Sequence, residues 1–184
     1  MITSILKEED LEIYRDDIYQ AYKDNPQVAD EQCPGYENTP ECCVEYLRMF
    51  ITATDSMVMG IFDEEKEFLY GVIIFDNIRL TEDGNSSEVH IATSRDIWGK
   101  DFLDIYRDII DKNFFDVLYC IIPAKCRPAI GLCKSLGFKK TGYIPKAIPY
   151  KTIKGEIKMY DKLIYTLQKP EAITLDKEEL VDVS

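Results

Sequence analysis

Residues 116–145, DVLYCIIPAKCRPAIGLCKSLGFKKTGYIP, decide how this chain is read. Val117 to Ile122 is an apolar run of strand length that stops at Pro123. A short amphipathic helix is predicted from about Pro128 to Leu136, closing on Gly137, and Phe138 leads into a second strand. Pro128 suits a first helical turn, where no amide partner is needed, and Gly137 suits the left-handed cap that lets the chain reverse. The segment is therefore a strand-helix-strand unit.

This unit resembles the second half of the GCN5-related N-acetyltransferase (GNAT) fold, whose members carry a turn and helix of the form Asn-x-x-Ala-x-x-x-Tyr-x-x-x-Gly-Phe. Ala129, Gly137 and Phe138 match that pattern, while Cys126 stands where the family has Asn and Cys133 where it has Tyr.

Upstream, Leu11, Ile13, Tyr14, Ile18, Ala21 and Tyr22 predict one amphipathic helix over 8–24, ended by Asn25-Pro26. A polar loop through Cys33-Pro34-Gly35-Tyr36 precedes a second helix that starts after Thr39-Pro40 and carries Cys43, Tyr46, Leu47 and Phe50. Met57 to Phe62 and Phe68 to Phe75 read as a strand hairpin, with Gly60 and Gly71 marking bulges or close backbone approach. Residues 81–87 read as a turn cluster, Glu88 to Ala92 as a strand and Gly99 to Asn113 as an amphipathic helix. Two final strands are predicted over 143–153 and 157–167 around Lys154-Gly155. Pro145 and Pro149 assign the first of them an edge or irregular position.

With Met1 to Leu6 as a candidate first strand, this order resembles GNAT proteins over about residues 5 to 167. The expected fold class is α/β: a mixed, mostly antiparallel central sheet splayed at a cofactor site, with helices on both faces. Residues 1–168 form the expected single domain, and 169–184 an acidic tail.

Residues 1–70 hold 17 acids and 5 bases, which accounts for the whole net charge of −12, whereas residues 112–162 hold 11 bases and 3 acids. Such a chain repels nucleic acid at its N-terminal portion and offers a phosphate-bearing ligand a basic one. No stretch approaches the roughly 18 to 20 apolar residues of a membrane span. The expectation is a soluble, cytoplasmic protein with no membrane partner and with six free cysteines rather than a disulfide frame. The spacing of Cys33, Cys42 and Cys43 fits no zinc ribbon or finger, and no metal is expected.

The resemblance implies acetyl-CoA as co-substrate. Its pyrophosphate would meet a glycine-containing loop and the free amides of the following helix, where the dipole favours an anion. The family pattern is Gln or Arg, two residues, Gly, one residue, then Gly or Ala; here Gly99, followed by Phe102 and Leu103, fits its end. Ile97 replaces the first glycine and Ser94 the Gln or Arg, so a branched side chain is expected to impede the phosphates. Ile91, Arg95, Trp98, Gly99, Lys100 and Arg127 are the candidate cofactor contacts, Lys125 and Lys134 adding positive charge. Trp98, the sole tryptophan, reads either as a buried anchor of the loop or as a cover over the cofactor.

N-acetyl transfer needs a base for the amine and an acid for the departing thiolate. Glu88 and His90 alternate along one strand face and are the candidate bases, structural roles being the alternative for each. Cys133, at the position of the family's acid, and Tyr143 are the candidate acids, with Tyr119 a further substitute. A Cys-His hydrolase would instead require Cys126 or Cys133 beside His90.

Two functions follow. The first is a divergent GNAT-fold acetyltransferase acting on a primary amine, small-molecule or protein, bordered by the acidic helices of residues 8–52. The second is an inactive GNAT-fold interaction protein that meets a protein partner through its acidic N-terminal face or tail. In that style it is similar to divergent GNAT-like proteins of tailed bacteriophages, which would place it in the host cytoplasm or the virion.

Overall fold

The computed structural model describes residues 1–25, 39–112, 114–151 and 157–169. The loop through Cys33, the tip at Lys154-Gly155 and residues 170–184 of the expected tail lie outside these.

Seven strands form one sheet in the order β1-β2-β3-β4-β5-β7-β6. They are β1 (Ile2–Ile5), β2 (Met57–Phe62), β3 (Leu69–Thr81), β4 (Gly84–Thr93), β5 (Val117–Pro123), β6 (Lys139–Lys151) and β7 (Ile157–Gln168). Every neighbouring pair is antiparallel except β4 and β5, which run parallel. The helices are α1 (Glu8–Ile13), α2 (Arg15–Asp24), α3 (Pro40–Thr52), α4 (Lys100–Lys112) and α5 (Arg127–Ser135). The mixed α/β class and the candidate first strand are both as the sequence reads.

The run Val72-Ile73-Ile74-Phe75 is apolar at every position because β3 is covered on both faces. Val72 and Ile74 pack with α1, α2 and α3 through Leu11, Ile18, Tyr22 and Leu47. Ile73 and Phe75 pack with Phe102, Tyr106 and Ile109 of α4 and with Cys133 of α5. Gly71 is required by close approach: a Cβ there would lie 2.7 Å from the Ala92 carbonyl oxygen and 2.5 Å from Thr93 Cγ2.

The strand-helix-strand unit closes as its glycine predicts. Gly137 has φ +89°, its amide donates to the Lys134 carbonyl at 3.1 Å, and the Phe138 amide donates to that of Cys133 at 2.9 Å. The Thr39 hydroxyl likewise caps α3 by accepting the Cys42 amide at 3.3 Å. Pro145 and Pro149 do lie on an edge strand, β6, whose register shifts between Ile144 and Ile148.

β3 runs on to Thr81, beyond its expected end at Phe75, and three other boundaries differ from expectation for identifiable reasons. The single helix over 8–24 is two, because Tyr14 leaves helical geometry; its hydroxyl donates to the Lys66 carbonyl at 2.7 Å and its ring meets Phe62 edge-on. Residues 84–87 are strand rather than turn, leaving only Glu82 and Asp83 between the paired Thr81 and Gly84. The Asn85 amide there donates to the Asp116 carboxylate at 2.7 Å, Ser86 pairs with both neighbouring strands, and Ser87 pairs with Leu118 of β5. Finally, β6 starts at Lys139 rather than 143, since β7 pairs with it from Thr166 downward.

Among the described residues no helix is long and apolar enough to cross a membrane, and no three His, Cys, Asp or Glu side chains are grouped to hold a metal ion.

Candidate active site

β4 and β5 pair at Ser86–Val117, Ser87–Leu118 and Glu88–Tyr119, and at no later position. β4 continues to Thr93 and β5 to Pro123, so the strands diverge and the backbone edges facing each other beyond Glu88 are not paired to one another. A cavity of about 720 Å³ opens at this split and receives lining from α3, α4 and α5 as well as both strands. Its rim reaches solvent, since Met49 and Trp98 line it and are 59% and 48% exposed. Volume and position suit a ligand of cofactor size at the carboxyl ends of parallel strands.

Glu88 and His90 sit on the α1–α3 side of the split, alternating with Val89, which packs on the α4 side. Glu88 Oε1 is 3.6 Å from His90 Nε2, and their side chains are only 13% and 16% exposed. Burial raises the Glu88 pKa, and Asp76, its register partner on β3, raises it further; an Asn77 hydrogen bond of 3.4 Å and the Lys162 charge act against them. Burial also lowers the His90 pKa, to about 4, with Asp76 opposing and Lys162 assisting. His90 is therefore a neutral imidazole at pH 7, tilted against the Phe50 ring, and its contact with Glu88 is no ion pair. Asp76, Glu88 and Lys162 all line the cavity, two carboxylates against one ammonium, which makes this wall attractive to a cation.

The loop from β4 to α4 forms the other wall. Ser94 caps a short 3-10 turn, Arg95–Ile97, accepting the Asp96 amide at 3.3 Å. The expected obstruction by Ile97 does not arise: its side chain is buried in the core on the α4 side, so the branched carbons point away from the mouth. Gly99 has φ +138°, and an added Cβ would meet nothing within 4 Å, so open space lies in front of the helix start at Lys100. Trp98 is not the buried anchor that its size suggests. It lines the cavity half-exposed while its indole Nε1 donates to Thr93 Oγ1 at 3.1 Å and Arg95 lies 5.7 Å from its ring. The loop is tied to α2: Asp24 accepts the Arg95 amide at 2.9 Å, and Asn25 donates to the Thr93 carbonyl at 2.6 Å.

Of the residues singled out from sequence, Glu88, His90, Ile91, Trp98, Gly99 and Cys133 share the cavity wall. Lys100 opens α4. Arg95 and Arg127 are exposed near it but do not line it. Tyr143 lies elsewhere, 61% exposed on edge strand β6 with Lys140 over its ring, and Tyr119 is also outside the lining. Cys133 and Cys126 pack with the α4 and α5 side of the sheet, whereas His90 faces α3, so a Cys-His hydrolase pair is not assembled. The sulfur that Cys133 does meet belongs to Cys120, at 3.2 Å.

Sequence reading missed Asp76, Lys162 and Cys120. Asp76 carried a usable signal, as the polar residue that ends the apolar run of β3. Lys162 had none, because only the register of β7 with β5, which pairs Lys162 with Pro123, brings it to the cavity.

No protein-family model and no curated relative matches the sequence. Solved structures do match in shape. A point mutant of the spermidine N-acetyltransferase SpeG from Vibrio cholerae superposes with a TM-score of 0.65 at 16% identity, over 91% of this chain and 95% of that one. The ribosomal-protein-S5-alanine acetyltransferase of Vibrio fischeri gives 0.64 at 15% identity, over 92% and 93%. A GNAT-family acetyltransferase from Bacillus anthracis gives 0.63 at 15% identity, over 90% and 94%. The strand order, the split beside Glu88 and these superpositions together establish that the chain has the GNAT fold.

Proposed function

We propose that this protein is an N-acetyltransferase that moves the acetyl group of acetyl-CoA to a small, cationic primary amine. The observation that carries the reading is the split after Glu88 and Tyr119, with a roomy cavity between the strands and a helix start at its mouth. The residues fit the co-substrate: Gly99 leaves the helix amides open to an anion, and Ile97 is turned into the core. The unpaired strand edges beyond Glu88 offer backbone groups to an extended amide-bearing arm.

The acceptor enters from the α1–α3 side as an ammonium, drawn by Asp76 and Glu88. Glu88 takes its first proton, a transfer eased because the raised pKa makes this carboxylate a stronger base than an exposed one. The free amine attacks the thioester carbonyl, the C–S bond breaks, and the amine's second proton leaves with the thiolate as a thiol. Neutral His90 lies beside Glu88 at 3.6 Å and is not the base, since a histidine with a pKa of about 4 is a weak one. One neighbour is named for spermidine, a polyamine, which agrees with the paired carboxylates here.

The test is calorimetric titration with acetyl-CoA, followed by mass detection of acetylated product from a panel of diamines, polyamines and amino-terminal peptides. Micromolar binding and turnover of a polyamine support the reading. Absence of binding overturns it and makes the fold an interaction scaffold, with the acidic N-terminal face or tail as its contact surface.

A further inference from the structure

Cys120 on β5 and Cys133 late in α5 belong to different elements, yet their sulfurs lie 3.2 Å apart in the wall of the cavity. Both are buried, 7% and 8% exposed, but the cavity they border opens to solvent past Met49 and Trp98. A small reagent therefore has a route to the pair without unfolding. Cys126 lines the same cavity, but it stands seven residues before Cys133 at the helix start, about 10 Å along the axis. That exceeds the Cα separation of about 7 Å that a disulfide tolerates, so the partner of Cys133 is Cys120.

We infer that Cys120 and Cys133 are a redox-active dithiol, oxidised to an intramolecular disulfide by a low-molecular-weight disulfide that enters the cavity. Cys133 attacks first. The two thiols share a hydrogen bond that either sulfur can donate; with Cys120 as donor the Cys133 thiolate is stabilised and its pKa lowered, while burial acts against this. Its sulfur bonds to one sulfur of the reagent RSSR, the S–S bond breaks, and RS⁻ departs and is protonated. The Cys120 thiol, whose pKa is raised chiefly by its hydrogen bond to Cys133 and by burial, loses that first restraint once Cys133 is a mixed disulfide. Cys120 then gives up its proton and attacks the Cys133 sulfur, expelling the second RS⁻. The protein loses two electrons and two protons, and RSSR becomes two RSH. The sulfurs need only close from 3.2 Å to about 2.05 Å, a shift that side-chain rotation and a small motion of α5 against β5 supply.

The chemistry rests on the sulfur geometry; its overlap with acetyl-CoA rests on the function proposed above. The experiment treats the full chain with excess hydroxyethyl disulfide at pH 7.5 and follows intact mass, with thiols counted afterwards in denaturant. The expected result is a Cys120–Cys133 cross-link found by peptide mapping, a loss of 2 Da at that pair, with mixed-disulfide adducts at other cysteines such as the partly exposed Cys42 counted apart. Cys120→Ser and Cys133→Ser each abolish the loss, their folds checked by circular dichroism and repeated as Ala variants, and Cys126→Ser leaves it unchanged. No change at the pair, a stable adduct on Cys133 with Cys120 still a thiol, or a 2 Da loss that survives in Cys133→Ser overturns the pair. In a second arm, saturating acetyl-CoA slows the oxidation at least tenfold. Disulfide formation at an undiminished rate would leave the dithiol standing and remove acetyl-CoA from this cavity.

Discussion

Glu88 and Tyr119 are the last matched residues of the one parallel strand pair among the described residues, and the cavity begins where their pairing ends. The Glu88 side chain that borders the split is thus placed by a backbone event. Alternation then sets Glu88 and His90 on one wall and leaves the cysteine pair on the other.

If Glu88 removes the acceptor's proton, Glu88→Gln keeps the fold and the shape of the wall but lowers kcat by about 10²- to 10⁴-fold. Acetyl-CoA affinity is expected to change little, because the lost group faces the acceptor. The pH profile of the parent carries the same information: the active form is the carboxylate, and burial with Asp76 raises its pKa. kcat/KM therefore falls with acidification at a pH above the ordinary carboxylate range. A profile that stays flat down to pH 5 would remove Glu88 from the chemistry.

His90 makes a different prediction, for stability. Its folded pKa of about 4 lies below the unfolded value of about 6.5, so between those limits the unfolded chain binds the proton and the folded one does not. Stability is therefore complete above about pH 6.5 and declines as pH falls toward 4, by at most about 3 kcal/mol from this group. Glu88, with its raised pKa, opposes the trend where its own proton is taken up on acidification. In urea titrations across pH 4 to 7, His90→Gln is expected to flatten the decline. An unchanged slope would mean that the imidazole is charged in the folded protein.

At Gly99, with φ +138° and open space ahead, any side chain is strained by backbone conformation rather than by collision. Gly99→Val is expected to destabilise by about 1–3 kcal/mol and to weaken acetyl-CoA binding at least tenfold, since the helix start would turn or be covered. Calorimetry on the folded variant checks this. Retained affinity with the expected stability loss would place the pyrophosphate elsewhere.

The architecture was legible where local chemistry and tertiary packing agree. Gly137 closed α5, and the two prolines of β6 found an edge. The site was legible only in part. Glu88 and His90 are two residues apart on one strand, so their common face follows from the strand period; Asp76 is marked locally only as the polar end of the β3 apolar run, and Lys162 joins them through an antiparallel register that no local signal encodes. Ile97 and Trp98 went the opposite way to expectation because the turn at Arg95–Ile97 rotates the branched side chain into the core and the indole out to the rim. Motif matching alone carries no information about that rotation.

Tyr106 offers the last test. Its ring is packed edge-on against Phe102 and is 1% exposed, and its hydroxyl has no hydrogen-bond partner among the described residues. Burial accordingly raises its pKa well above the usual phenol value. A hydroxyl without a partner carries a desolvation cost of about 1–3 kcal/mol, so Tyr106→Phe, which keeps the ring, is expected to stabilise the protein and raise Tm by a few degrees. Because Tyr106 also borders the cavity, the measurement is repeated with acetyl-CoA bound. A rise in both states means that the hydroxyl is only a burden to the core. A fall in Tm in the free protein would instead show that an ordered water satisfies the hydroxyl, and a fall confined to the complex would make Tyr106 a ligand contact on the α4 wall.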